Sequence, residues 1–193
     1  MKKILLIIAL TLLIFQMVIM AIDIDIGSPA IDREHSITSM TVVTKVNPAN
    51  DSGVINNVEI WAAVNLENCK VATFYVVSGN NLSTRDTHTI GSVTAGSKQT
   101  FEVEIDVQAG DYIGIYFSAG ELDRLNEPTV GLWYGGAGVD LIPCSNQAFN
   151  FTAYNTLSLY GTGTTEVGWP HKWNTVTIGK LNTKEFTKWN DLE

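Results

Sequence analysis

Strict alternation of apolar and polar residues is the feature that most constrains the fold of this 193-residue chain. In the segment TFEVEIDV, residues 100–107, every second side chain is apolar and those between them are polar or acidic. This period of two belongs to a β-strand, because a helix repeats every 3.6 residues. The same pattern predicts further strand faces at Val58, Ile60, Ala62 and Val64, at Ala72, Phe74 and Val76, and at Ile113, Ile115 and Phe117.

Turn-forming segments separate these alternating runs. NPANDSG, SGNN and QAGD are examples, and each is rich in Gly, Asn or Asp. Short strands with one solvent-facing side, joined by such turns, are typical of antiparallel β-sandwiches. The sequence therefore predicts an all-β protein whose main domain, residues 22–163, is a jelly-roll-like antiparallel β-sandwich of about eight strands.

The start of the chain has the pattern of an export signal. Two lysines precede an apolar run that extends to Ile22, and the small residue Ala21 lies near its end. We therefore expect residues 1–21 to be a signal peptide. The alternative is an uncleaved helix that anchors the protein, since the run is about long enough to span a bilayer. Both alternatives predict a secreted or cell-surface protein.

The charge distribution argues against nucleic acid as a partner. Residues 22–172 carry 7 basic and 17 acidic side chains, a net charge of −10. A surface this acidic repels phosphate backbones.

Cys69 and Cys144 form an even pair in a chain predicted to be exported, so a disulfide between them is permitted. Two free buried thiols are the alternative, because the sequence does not show whether the two residues come within bonding distance.

Motifs that mark an enzyme are absent from the sequence. It contains no His-Glu-x-x-His, no Gly-x-Ser-x-Gly and no phosphate-binding glycine loop. Glu102 and Glu104 alternate with apolar residues, which indicates a solvated strand face rather than a catalytic pair. We therefore predict a non-enzymatic protein with no catalytic residues, metal or cofactor. A glycoside hydrolase with dispersed carboxylates stays open as an alternative.

One aromatic segment suggests a carbohydrate site. LWYGGAGVD places Trp133 and Tyr134 before a glycine-rich turn, with Asp140 beyond it and Asn146 further along. Sugar-binding proteins stack sugar rings on aromatic side chains and bind the hydroxyls with carboxylate or amide groups. Neighbouring residues of a strand face opposite ways, so packing in the core is expected to take at least one of the two aromatics.

The end of the chain repeats every eight residues. After a glycine-rich linker at residues 164–172, Trp173, Leu181 and Trp189 open successive units within residues 173–193. Six strand residues and a two-residue turn explain this period, so we predict a β-hairpin tail. An isolated hairpin is marginally stable in water, which suggests that the tail self-associates.

A second route to a homo-oligomer lies at the start of the mature chain. The alternating strand AIDIDI, with Ile22, Ile24 and Ile26 on one face, has the pattern of a strand that could insert into the sheet of a second copy. An ordinary edge strand of its own domain is the alternative.

Several segments together resemble a known group of proteins. They include AIDR, NPAND, VEIWAAVNLENCKVATFY, TIGSVTAGSKQTFEVEIDVQAGDYIGIYF and SLYGTG. Residues 25–163 resemble an uncharacterised family of exported β-sandwich proteins from phage and environmental bacterial genomes. The tail resembles the Trp-Asn-Gly-Val octads that follow such domains, with Thr or Asp here in place of Gly. The resemblance implies a β-sandwich and brings no activity or catalytic residues.

These observations lead to three functional hypotheses. The first is a non-catalytic surface module for attachment or assembly, whose tail mediates self-association. The second is a carbohydrate-binding module that acts through Trp133 and Tyr134. The third is the glycoside hydrolase.

Overall fold

The computed structural model describes residues 23–126, 128 and 131–165. The predicted signal peptide, Ile22, most of the linker and the octad tail lie outside the described residues, so the statements about them stay predictions. The described part consists of strands and turns, with no helix. In chain order the strands are β1 (Asp23–Ser28), β2 (His35–Thr38), β3 (Thr41–Thr44), β4 (Gly53–Ser78), β5 (Asn81–Val93), β6 (Lys98–Val107), β7 (Tyr112–Tyr116), β8 (Ala119–Leu125), β9 (Leu132–Tyr134), β10 (Gln147–Ala148), β11 (Asn150–Thr152), β12 (Thr156–Leu157) and β13 (Leu159–Thr164).

Strand β4 organises the whole sheet because its 26 residues pair with five different strands. Its first part lies between β13 and β6, its middle pairs with β8, and its last part lies between β5 and β7. The main path of the open antiparallel sheet runs β1-β13-β4-β7-β3-β9-β11. The prediction of an all-β antiparallel protein is confirmed, and the finer prediction of a jelly-roll-like sandwich stays a prediction.

The main core contains most of the apolar residues predicted from the alternation. Ile105, Ile113, Ile115 and Phe117 are buried there, and Phe101 packs against it. This burial of one face per strand supplies the hydrophobic stabilisation of the fold.

Two residues of the predicted strand faces do not follow this pattern. Val64 is 49% and Val76 is 41% exposed. Next to each of them the pairing register of β4 shifts, between Ala62 and Val64 and between Val76 and Ser78. A bulge adds an unpaired residue and so changes which face the following side chains occupy. The alternation alone contains no signal for these bulges.

A second buried cluster lies on the opposite face of part of the sheet. In β3, Val42 belongs to the main core and its neighbour Val43 to the second cluster, so this strand is covered on both faces. The other members of the second cluster are Ala72, Phe74, Leu82, Tyr116, Trp133, Ile142 and Phe149. Two of them, Ile142 and Phe149, come from residues 135–149. That segment therefore folds over the sheet and covers it.

The two cysteines are both free, so the disulfide considered from the sequence is not formed. Cys69 is fully buried in the main core, whereas Cys144 packs against the second cluster on the other face of the sheet. The sheet separates the two thiols. Burial raises the pKa of the Cys69 thiol to about 12, which keeps it protonated and unreactive at neutral pH.

Strand β1 is an edge strand of its own domain. It pairs with β13 through residues 23–28, and Ile24 and Ile26 are buried in the main core. The outer edge of the strand is also occupied, because the Asp25 N–H donates to Asn50 Oδ1 at 3.0 Å and the Asn50 amide donates to the Asp23 carbonyl at 3.0 Å. The loop before β4 thus protects an edge that would otherwise pair with another chain.

None of the described residues belongs to a helix of the length and apolarity needed to cross a bilayer.

Candidate functional site

Trp133 serves packing rather than ligand stacking. Its side chain is 2% exposed and its indole N–H donates to Asn80 Oδ1 at 2.9 Å. The Tyr112 ring meets it edge-on at a centroid distance of 5.0 Å, and the Lys45 ammonium lies 4.4 Å from the ring centroid. Since the ring is surrounded by protein, we no longer assign Trp133 to a glycan site.

The other predicted polar groups, Asp140 and Asn146, hold the covering segment in place. Asp140 forms an ion pair with Lys70 and accepts the Ile142 N–H at 2.9 Å. The Asn146 N–H donates to Ser83 Oγ at 2.8 Å. Both residues tie residues 135–149 to β4 and β5. The structure therefore does not bring Asp140 and Asn146 together with Tyr134.

Tyr134 faces the opposite side of β9 from Trp133 and lines a surface groove. The ring is half-buried and packs against the main core. The groove has a volume of about 380 Å³, at the lower end of the range for small-molecule sites. Its lining residues come from β2, β8, β9 and the connections around them. They are Ser36, Ile37, Thr38, Met40, Arg124, Leu132, Tyr134, Thr152 and Asn155.

Strand pairing explains how residues so distant in sequence meet at this groove. On one side β2 pairs with β8, which places His35 opposite Arg124. On the other side β9 pairs with β11, which places Leu132 opposite Thr152 and on the same face as Tyr134. The groove lies between these two pairs of strands.

Arg124 is the charged residue of the groove, and two contacts fix its guanidinium. Its Nε–H donates to the Ser36 carbonyl at 2.9 Å, and its Nη1 donates to Asn155 Oδ1. Both acceptors are neutral. A guanidinium has more N–H donors than these two contacts use, so donors remain for a ligand.

Among the described residues no carboxylate forms an ion pair with Arg124, although the Glu121 carboxylate accepts the Ser36 hydroxyl at one side of the groove. The three ion pairs found within the described ranges are Lys70–Asp140, Arg85–Asp111 and Lys98–Glu59, and none involves Arg124. None of the lining residues is acidic. A half-buried arginine that forms no ion pair within the described part of the chain is therefore the main electrostatic feature of the groove.

A buried carboxyl outside the groove bears on the hydrolase hypothesis. Asp123 is 1% exposed, its Oδ2 accepts the Arg33 N–H at 3.1 Å, and its Oδ1 has no protein donor. The pKa of Asp123 is raised, chiefly by burial and also by the neighbouring Asp32 carboxyl. A raised carboxyl pKa is typical of a general acid, but this side chain is buried and is not among the residues that line the Tyr134 groove.

Two further cavities have an acidic character. One, of about 370 Å³, is lined by residues 31–34 and Leu125. The other, also about 370 Å³, includes Asp23 and Asp25 with Tyr160. In the part of the chain that the structure describes, no group of three or more His, Cys, Asp or Glu side chains is placed to hold a metal ion.

Arg124 and Asn155 were not predicted from the sequence as residues of the candidate site. Arg124 lies in ELDRLNE, which resembles a solvated charged segment, and Asn155 lies in a short connection without a motif. Their roles follow from pairing over long distances in the chain, for which a single sequence gives no signal.

Comparisons of the chain with protein-family models, with curated proteins and with solved structures found no match. The resemblance noted from the sequence therefore stays a prediction.

Proposed function

We propose that this protein is an exported, non-catalytic β-sandwich module for attachment, and that it binds carbohydrate in the groove beside Tyr134. The observation that carries this proposal is the combination, in one groove, of a half-buried aromatic ring and an arginine that is fixed by two neutral acceptors. Aromatic rings pack against the apolar faces of sugars, and polar groups around them bind the hydroxyls.

The composition of the groove supports binding rather than catalysis. Acid–base catalysis depends on a side chain that exchanges a proton near the working pH, most often His, Asp or Glu. None of the residues that line the groove is of these types. Thr38 contributes a hydroxyl, and the Ser36 and Thr152 hydroxyls, which donate to Glu121 and to the Ala153 carbonyl, offer acceptor oxygens to a polyol.

Two further parts of the proposal concern residues outside the described ranges. Export rests on the predicted signal at residues 1–21. Self-association rests on the octads that begin at Trp173, Leu181 and Trp189. A module that binds a surface weakly at one site gains avidity when several copies are joined, so self-association through the tail is consistent with a function in attachment.

Glycan binding by the mature chain, residues 22–193, tests the proposal. A broad glycan array followed by isothermal titration calorimetry should identify a ligand, and Tyr134→Ala should weaken binding at least tenfold. Phe151→Ala is the matched control. It removes an aromatic ring that is 43% exposed. Because Phe151 pairs with Trp133, this ring lies on the opposite face of the sheet from Tyr134. Equal losses in both variants, or binding that depends on Phe151 alone, would exclude the Tyr134 groove.

A further inference from the structure

The charge of Arg124 is unusual in a protein of this composition. Residues 22–172 carry a net charge of −10, yet this guanidinium has no acidic partner within the described ranges. Arg85, in contrast, is paired in a bidentate contact with Asp111. An unpaired and partly desolvated cation gives up hydration without a compensating charge, so a ligand that supplies a negative charge gains more here than at an exposed arginine.

The orientation of the guanidinium is already set before a ligand binds. The contacts with the Ser36 carbonyl and Asn155 Oδ1 hold it from two directions. An arginine fixed in this way loses little further rotational freedom when a planar carboxylate pairs with its remaining N–H groups. Such charge-assisted pairs are shorter and roughly twice as strong as neutral hydrogen bonds.

The other lining residues indicate what the carboxylate is attached to. Thr38 supplies a hydroxyl, the Ser36 and Thr152 hydroxyls supply acceptor oxygens because they donate to Glu121 and the Ala153 carbonyl, and apolar contacts come from Tyr134 and Met40. These groups fit a ring with hydroxyls and one apolar face. Arg124 is the one cation among the lining residues, so the groove matches one carboxylate per bound unit.

We infer that the groove binds an acidic sugar, with the carboxylate of a uronic acid unit on the Arg124 guanidinium and the sugar ring against Tyr134. This inference rests on the proposed carbohydrate-binding function and specifies its ligand class. An acidic polysaccharide of a cell surface or extracellular matrix would be the corresponding attachment target.

The sharpest test compares two ligands that differ only in charge. Isothermal titration calorimetry of residues 22–193 would use oligogalacturonate and its methyl ester, in which the carboxylate is blocked. Oligomers of glucuronate, mannuronate and guluronate would extend the acidic set. We expect at least one acidic oligomer to bind, and its ester to bind at least tenfold more weakly.

Variants separate the role of the charge from that of the ring. Arg124→Gln should reduce binding of the acid at least tenfold and binding of the ester by a clearly smaller factor, so that the preference for the acid over the ester is lost. Arg124→Lys, which keeps the charge but loses the planar fork, should retain part of the affinity. Tyr134→Ala should weaken binding of both ligands. Thermal melts of each variant establish that the fold is kept.

Three outcomes would overturn the inference. Equal binding of acid and ester, with loss in Tyr134→Ala, would show a site for neutral sugars, so that the proposed function stands and the acidic ligand class fails. Equal binding of oligogalacturonate and poly-glutamate would show recognition of carboxylates without a sugar. Binding of none of the acidic oligomers would refute the inference, and only failure of the neutral glycans as well would remove the proposed function.

Discussion

The ion pair between Arg85 and Asp111 offers the most direct test of how this fold is stabilised. Asp111 is 3% exposed and accepts the two guanidinium contacts of Arg85 as well as the Gln108 N–H at 2.8 Å. The Arg85 guanidinium also lies over the Tyr75 ring, 5.0 Å from its centroid. The pair therefore connects β5 to the turn between β6 and β7.

Replacement of Asp111 by Asn removes the charge with little change in shape. A carboxylate is acceptor-only, whereas an amide has one acceptor oxygen and an NH₂ group that faces the same donors. Breaking a buried ion pair from one side costs about 3–5 kcal/mol. The Arg85 side chain is 23% exposed, so water partly solvates the guanidinium once its carboxylate partner is removed. We expect Asp111→Asn to lower the free energy of unfolding by about 2–3 kcal/mol and the melting temperature by roughly 5–10 °C.

Urea denaturation at pH 7, followed by circular dichroism and tryptophan fluorescence, measures this loss. Glu59→Gln is the matched control, because the Glu59–Lys98 pair is more exposed and its loss should cost about 0.5 kcal/mol or less. In a double-mutant cycle, Arg85→Gln combined with Asp111→Asn should cost clearly less than the sum of the single changes. A loss in Asp111→Asn no larger than that in Glu59→Gln would refute the assignment of a stabilising buried pair.

Three further predictions concern titration, thiols and assembly. The pKa of Asp123 is raised in the folded protein, so the folded state binds the proton of this carboxyl more tightly than the unfolded chain does. Protonated Asp123 therefore contributes to stability below about pH 4, and this contribution is lost as the pH rises through the folded-state pKa. Asp123→Asn should therefore stabilise the protein at pH 7 and lose this advantage near pH 4 in thermal melts; destabilisation at both pH values would contradict it. Because Cys69 is buried and Cys144 is partly exposed, a thiol reagent at pH 8 should modify Cys144 in the native protein and Cys69 only after unfolding, and a reducing agent should leave the melting temperature unchanged. Light scattering should give a larger particle for residues 22–193 than for residues 22–165 if the octads drive assembly, and two monomers would refute that role.

The strand faces could be predicted from the sequence because burial imposes a period of two on each strand. Ile105 and Ile113 were predicted in this way and are buried. The length of β4 could not be predicted, since its bulges interrupt the alternation and Val64 emerges on the exposed side. The local sequence of β4 contains no turn signal, but it also contains no signal that this one strand pairs with five neighbours.

The candidate site was predicted only in part for a related reason. Alternation implies that Trp133 and Tyr134 face opposite ways, but it does not show which side is covered. Residues 135–149 cover the side of Trp133, and this depends on tertiary contacts such as the Lys70–Asp140 pair. Arg124 enters the groove because β2 pairs with β8. Local pattern therefore pointed to the aromatic residue that lines the candidate groove, whereas only the strand topology shows that Arg124 lines it too.

The environment of β1 bears on the two routes to assembly that the sequence leaves open. Insertion of this strand into a second copy would remove Ile24 and Ile26 from the core of their own domain, and each buried side chain of this kind contributes about 1.5–3 kcal/mol. It would also break the contacts of Asn50 with the outer edge of the strand. An exchanged copy could restore the buried contacts but would gain no new interface, so exchange alone offers no net driving force at low concentration. The predicted octad tail lies outside this core, and we therefore propose the octads rather than β1 as the element that would mediate self-association.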